Sequence, residues 1–237
     1  MWRTFFSLLL LTMVGPLGFA RQGETKDPKP RTVTVRGMGV VSTAPDQVRV
    51  SIQVNTRAES ATAAMTSAST KTRDILATVK AEGVDAKDVQ TSRVSVSPIL
   101  DYQRNIQPPP IIGYSGVNEF SVLFRGKLME KVGDFMDKAV VAGATGFGGL
   151  QYENSKQREL ERDALKKAAL DAQARAEALA KELGATLGKA QTISEIVSGP
   201  MPVARGIMMA ETATAGAPIM TGELAINAQV EVVFEVK

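Results

Sequence analysis

The C-terminal end of the chain constrains the fold more than any other stretch. Leu224, Ile226, Ala228, Val230, Val232, Phe234 and Val236 hold every second position, and Asn227, Gln229, Glu231, Glu235 and Lys237 stand between most of them. A period of two sends successive side chains to opposite faces, so this segment reads as a β-strand with one apolar and one polar face. Such a strand needs a sheet with one face covered. The alternation recurs at Val48, Val50, Ile52 and Val54, and again at Tyr114, Phe120, Val122 and Phe124. β-Branched residues predict further strands from Arg31, over 89–100 and over 190–197, with a short one leading to Glu153.

Between these strands the period changes to that of a helix. Ser60 is placed to cap a helix that runs to Glu82, with Ala61, Met65, Ala68, Ile75, Leu76 and Val79 inward and Gly83 just past its end. Leu128, Val132, Phe135, Met136 and Ala139 recur at helical spacing before Gly143. Asn154 and Gln157 are expected to form a capping box for the longest helix, which stops at Gly184. Its inner stripe, Leu160, Ala164, Ala168, Ala172, Ala176, Leu179 and Leu183, is mostly alanine and lets the helix lie close to a sheet. Asp163–Lys167, Asp171–Arg175 and Glu177–Lys181 are acid-before-base pairs four residues apart, expected along its exposed face.

Ala44-Pro45-Asp46 predicts a turn, 101–110 a proline-stiffened connector, and 198–221 a long loop rich in Pro, Gly, Ala and Met. The expected fold class is α+β: a two-layer sandwich in which three helices pack on one face of a largely antiparallel, long-stranded sheet. Two strand–helix–strand halves, joined by the loop 101–110, make up one unit over 31–237. An outer-membrane barrel fits less well, because amphipathic helices interrupt the strands and lipid-facing aromatic girdles are absent.

The N-terminus reads as an export signal over 1–20. Arg3 gives the positive start, 5–14 (FFSLLLLTMV) is mostly apolar, and Gly18-Phe19-Ala20 supplies the small residues a signal peptidase reads. The apolar run is about half of the roughly 20 residues that span a bilayer, so no transmembrane segment is expected. Residues 21–30 (RQGETKDPKP) read as a flexible leader. A net charge of +3 is too small to imply nucleic acid as a partner.

The chain has no histidine and no cysteine. Most general bases near neutral pH, thiol nucleophiles and soft-metal ligands are thereby unavailable. Carboxylates, lysines, serines and thioethers remain. Asp46, Glu119, Asp134 and Glu153 lie on separate elements, and acid–base work needs two of them close together in a cleft. Met201, Met208, Met209 and Met220 cluster around the long loop, where thioethers either fill apolar gaps and interfaces or bind Cu(I). Asn118 falls on the apolar side of its strand. There it is expected as a buried amide satisfied by backbone at a bulge or edge, with a ligand-reading amide as the alternative. Gly37-Met38-Gly39 lacks the helix and remaining glycine of a phosphate loop and is expected to mark a strand bulge.

Several stretches in order carry a family resemblance: V-R-G-M-G-V-V-S-T-A-P-D from Val35, D-V-Q-T-S-R-V-S-V-S-P from Asp88, and I-I-G-Y-S-G-V-N from Ile111. A-V-V-A-G-A-T from Ala139, L-G-K-A-Q-T-I-S-E from Leu187 and P-I-M-T-G-E-L from Pro218 continue it. The set resembles the SIMPL-domain family, which includes bacterial periplasmic immunogenic proteins. Gly126-Lys127-Leu128 and Thr145 depart from the family's usual Asp-Leu and Asn. The resemblance implies periplasmic export with possible outer-membrane association, a mixed α/β fold, large rings in some members, and a loose link to oxidative-stress defence. It supplies no catalytic residues. The resulting expectation is a non-enzymatic envelope protein that works by binding and self-assembly, with no catalytic, cofactor or metal residues assigned and a homo-oligomer as its partner state. The contact is expected either by strand addition, with at least one of the strands from Arg31 and Glu223 at a sheet edge, or through the proline- and methionine-rich loops. A carboxylate-based envelope hydrolase or transferase and a methionine-loop copper-binding protein are the alternatives.

Overall fold

Among the described residues, the alternating and helical segments resolve into seven strands and three α-helices. In chain order these are β1 (Thr32–Thr43), β2 (Gln47–Ala58), α1 (Ala61–Ala81), β3 (Val89–Leu100), β4 (Ile111–Arg125), α2 (Val132–Val141), β5 (Gly146–Glu153), α3 (Gln157–Glu182), β6 (Leu187–Val203) and β7 (Glu223–Val236). The computed structural model describes residues 30–103, 106–203 and 221–237. The export signal 1–20 and the leader before position 30 lie outside the described residues, as do Met208, Met209 and Met220.

The α+β class holds, with helices laid on antiparallel sheets. The strands form two sheets, of order β3-β4-β2-β5 and β1-β7-β6, each with its own helical cover. In the first, β2-α1-β3 and β4-α2-β5 interleave as a split β-α-β arrangement, and every neighbouring pair is antiparallel. Val48, Val50, Ile52 and Val54 of β2 and Phe120, Val122 and Phe124 of β4 meet Ala68, Ile75 and Val79 of α1 and Val132, Phe135 and Ala139 of α2. The rings of Phe124 and Phe135 lie 4.9 Å apart, tilted at 51°. Each such fully buried side chain contributes roughly 1.5–3 kcal/mol.

In the second sheet β7 is the central strand, and its alternation is explained by α3 on one face. Ala164, Ala168, Ala172 and Ala176 are buried against Val35, Ile226, Ala228, Val230 and Val232, and Ala180 is buried one turn further on. The stripe continues in steps of four to Ala180, which leaves Leu179 and Leu183 exposed rather than inward. Gly37 and Gly39 do not mark a bulge, because β1 pairs with β7 without a register shift. They admit the helix backbone: a Cβ at Gly37 would stand 2.1 Å from the Ala168 carbonyl oxygen, and one at Gly39 2.0 Å from that of Ala164.

Ser60 caps α1 as expected, its Oγ accepting from the Ala63 N–H at 3.2 Å. Gly83 follows that helix at φ +87° and Gly143 follows α2 at φ +110°, the left-handed conformation glycine adopts without steric cost. The inner face of α1 is Ala64, Ala68, Ile75 and Val79, with Ala61 and Met65 at its margin. The capping box at α3 does not form. The Asn154 Oδ1 accepts from the Lys156 N–H at 2.9 Å, while the Gln157 amide donates to Glu161. The expected loop 198–221 begins later, since β6 continues through 198–203 despite Pro200 and Pro202. An edge strand tolerates proline because half its N–H groups have no neighbour to bond.

Candidate functional site

Two features stand out from the packed cores: a polar clip at one end of the four-stranded sheet, and four sheet edges treated in unlike ways. The clip joins residues far apart in the chain. The Arg125 guanidinium, at the end of β4, donates to both oxygens of Asp88 at 2.7–3.1 Å and to the Gln47 Oε1 at 2.9 Å. The Gln47 amide donates in turn to the Glu153 carboxylate, which also accepts from Arg49 at 2.8 Å and 3.3 Å. Asp88 is buried, yet the hydrogen bonds from Arg125 hold its carboxyl below the usual range against the opposing effect of burial. This chain of bonds ties the ends of all four strands together.

Beside the clip lie the two segments that cross between the sheets, 44–46 and 154–156. The Asn154 amide donates to the Ala44 carbonyl at 3.0 Å, and the Ser155 N–H and hydroxyl both donate to the Asp46 carboxylate. The structure thus brings Asp46 and Glu153 to one end of the molecule but commits both to structural bonds. Glu119 accepts from the Gln53 amide at 3.2 Å and lies elsewhere, on β4, and Asp134 sits in the first turn of α2. Asn118 is buried, but its partner is a side chain: its amide donates to the Thr72 Oγ1 at 3.0 Å, and its Oδ1 has none. A register shift in the β3–β4 pairing does lie next to it, opposite Glu119 and Phe120. Met201, on β6, is exposed, and it is the one of the four loop methionines that lies among the described residues.

The edge strands are β3 and β5 of one sheet and β1 and β6 of the other. Of the two strands expected to supply an edge, the one from Arg31 does, while β7, from Glu223, is internal. Exposed edges invite pairing with another chain unless they are short, bulged, charged, proline-bearing or covered. β5 is short and irregular, with a register shift against β2. β3 carries two register shifts and Pro98. β1 has two of its outward backbone groups engaged by α3: the Met38 N–H donates to the Asp171 Oδ2 at 2.8 Å, and the Lys167 ammonium donates to the Val40 carbonyl at 3.0 Å. Of the expected helix pairs, Asp171–Arg175 forms at 2.9 Å, whereas Asp163 pairs with Lys166 and leaves Lys167 to the strand.

β6 differs. Residues 192–198 pair with β7 in unbroken register, and their other edge faces outward. Ile193, Ile196 and Val197 are exposed at 67%, 65% and 36%, which is far more than an apolar strand facing only water would favour. Glu195 is the single charge in this stretch. A β-prone, nearly uncharged, proline-free run is the composition that adds strands. Sequence periodicity missed this edge because the proline-rich run after it hid the strand's length.

Sequence comparison bears on the whole of this architecture. A family model described as SIMPL, a protein of unknown function (DUF541), matches residues 33–234, from the start of β1 almost to the end of β7. The chain belongs to the SIMPL family. Two relatives, each 31% identical over 240 residues covering 98% of this chain and 95% of theirs, are named 26 kDa periplasmic immunogenic protein, one from Brucella melitensis biotype 1 and one from Brucella abortus strain S19. The matched span takes in strands of both sheets. No helix among the described residues is long and apolar enough to cross a membrane.

Proposed function

We propose that this SIMPL protein is exported to the periplasm, with its signal cleaved after Ala20, and acts in the cell envelope by binding and self-assembly rather than by catalysis. The named relatives and the N-terminal signal pattern support the location. A contribution to envelope or oxidative-stress defence, and association with the outer membrane, belong to the same reading. One observation carries the assembly: the regular, apolar and outward-facing edge of β6 over 192–198. Two copies meeting there about a two-fold axis pair antiparallel, continue each sheet into the other and use up both edges, so the contact closes on itself. Carboxylate chemistry has weaker support, because Asp46 and Glu153 are bound to Ser155, Gln47 and Arg49.

The test is the mass of the chain from Arg21 to Lys237 by size exclusion with light scattering. An even number of copies is expected at micromolar concentration. Glu195→Pro removes an N–H that faces away from β7, and Ile196→Lys places a charge beside the edge; both are expected to give single chains with unchanged circular dichroism. A wild-type chain that stays monomeric at high micromolar concentration, or two variants that keep the wild-type mass, would overturn the reading.

A further inference from the structure

The two edges of the three-stranded sheet have opposite fates for one reason, the glycine–alanine seam. Without a Cβ at Gly37 and Gly39, α3 sits with its backbone against β1. Residues on the flank of such a helix reach past the strand to its outer edge. Lys167 and Asp171, one helical turn apart, there meet Val40 and Met38, two residues apart on the strand. Val236 donates its N–H to the Arg31 carbonyl, which sets the alternation. Odd-numbered β1 residues bond to β7, and Arg36, Met38 and Val40 turn their backbone groups outward.

We infer that Lys167 and Asp171 act as a side-chain lock on the β1 edge, standing where the next strand would bond and so barring a second copy of this chain from adding there. The need for a lock follows from topology. β1 and β6 both run antiparallel to β7 and therefore point the same way. Copies stacked edge to edge would pair β6 of one with β1 of the next in parallel. That contact is heterologous, and wherever its rotation does not close a ring it grows into an open filament. With Met38 and Val40 exposed at 59% and 49%, β1 has the apolar surface to support it. Closing β1 leaves β6 to pair only with another β6. The Met38 N–H is also the foremost cause that holds the Asp171 carboxyl below its usual range, followed by Arg175.

The inference rests on the β6 reading for its partner, and two measurements separate them. In the double variant Lys167→Ala, Asp171→Ala, scattering is expected to rise with concentration well beyond the wild-type mass, and adding Glu195→Pro should return it to a fixed mass. If the wild type is monomeric but the double variant grows, the lock stands and the β6–β6 contact falls. If the double variant is folded and keeps the wild-type mass, the lock is overturned. Should that variant not fold, amide exchange of the wild type decides. The Met38 amide should exchange at least about tenfold more slowly than the outward amides of Arg36 and Val40, and equal rates would overturn the lock.

Discussion

At the scale of single residues, three positions show how differently burial acts. Gly37 is irreplaceable on steric grounds, because the atoms it faces are helix backbone and cannot rotate away. Gly37→Ala is expected to cost about 3 kcal/mol, near the upper end for overpacking, read as a lowered urea midpoint at unchanged slope. Asn118 is the opposite case. Thr72, which accepts from its amide, still donates to the Ala68 carbonyl at 2.8 Å, so replacing the amide strands no donor. Asn118→Leu should therefore be neutral within about 1 kcal/mol or stabilising. A loss well above that would show that its Oδ1 has a partner of its own. Asp88 carries a pH signature. Its folded-state pKa is depressed by Arg125, so its contribution is complete above the unfolded value, about 3.9, and is lost as pH falls through the folded value. Arg125 is half exposed, which limits the effect of Asp88→Asn to about 1 kcal/mol at neutral pH. In denaturation series, the gap between variant and wild type should narrow below about pH 4.

At the scale of elements, legibility followed what each pattern physically reports. Alternation tells which side of a strand is buried, and it placed β2, β4 and β7 with their inner faces correctly. It says nothing about neighbours, so it left open which of β1 and β7 is the edge, and β7 is the centre of its sheet. Helical spacing found α3 but drifted at its end, choosing Leu179 and Leu183 where steps of four continue to Ala180. Proline counted against β6 too strongly, because that rule belongs to central strands. The polar clip was illegible for another reason: Gln47, Asp88, Arg125 and Glu153 become neighbours only once four strands are ordered. β6 itself makes an element-scale prediction. Even-numbered residues over 192–198 bond to β7, so the amides of Thr192, Ser194 and Ile196 should be protected from exchange at any concentration. Those of Ile193, Glu195 and Val197 should be protected only where copies associate. Protection of both sets in a dilute monomer would contradict the pairing.

At the scale of the whole molecule, the chain is one unit threaded through another. β1, α3, β6 and β7 form the three-stranded half, and everything from β2 to β5 is inserted between β1 and α3. Only two covalent crossings connect them, 44–46 and 154–156, and these lie side by side. Asp46 is the joint: its carboxylate accepts from the Ser155 N–H and hydroxyl, its N–H donates to the Glu153 carbonyl, and its carbonyl accepts from Gly126. Each half has a core of its own, so cooperativity between them depends on how firmly this joint is held. Asp46→Ala removes the carboxylate while keeping the backbone bonds, and with it two hydrogen bonds worth about 1 kcal/mol each. Unfolding of the variant in denaturant should therefore lose its single sharp transition. Far-ultraviolet circular dichroism, which weighs the helices of both halves, should separate from tyrosine signals, because Tyr114 and Tyr152 both belong to the inserted sheet. Coincident transitions with an unchanged slope would show that the halves are coupled through their packed surfaces instead of through the crossing.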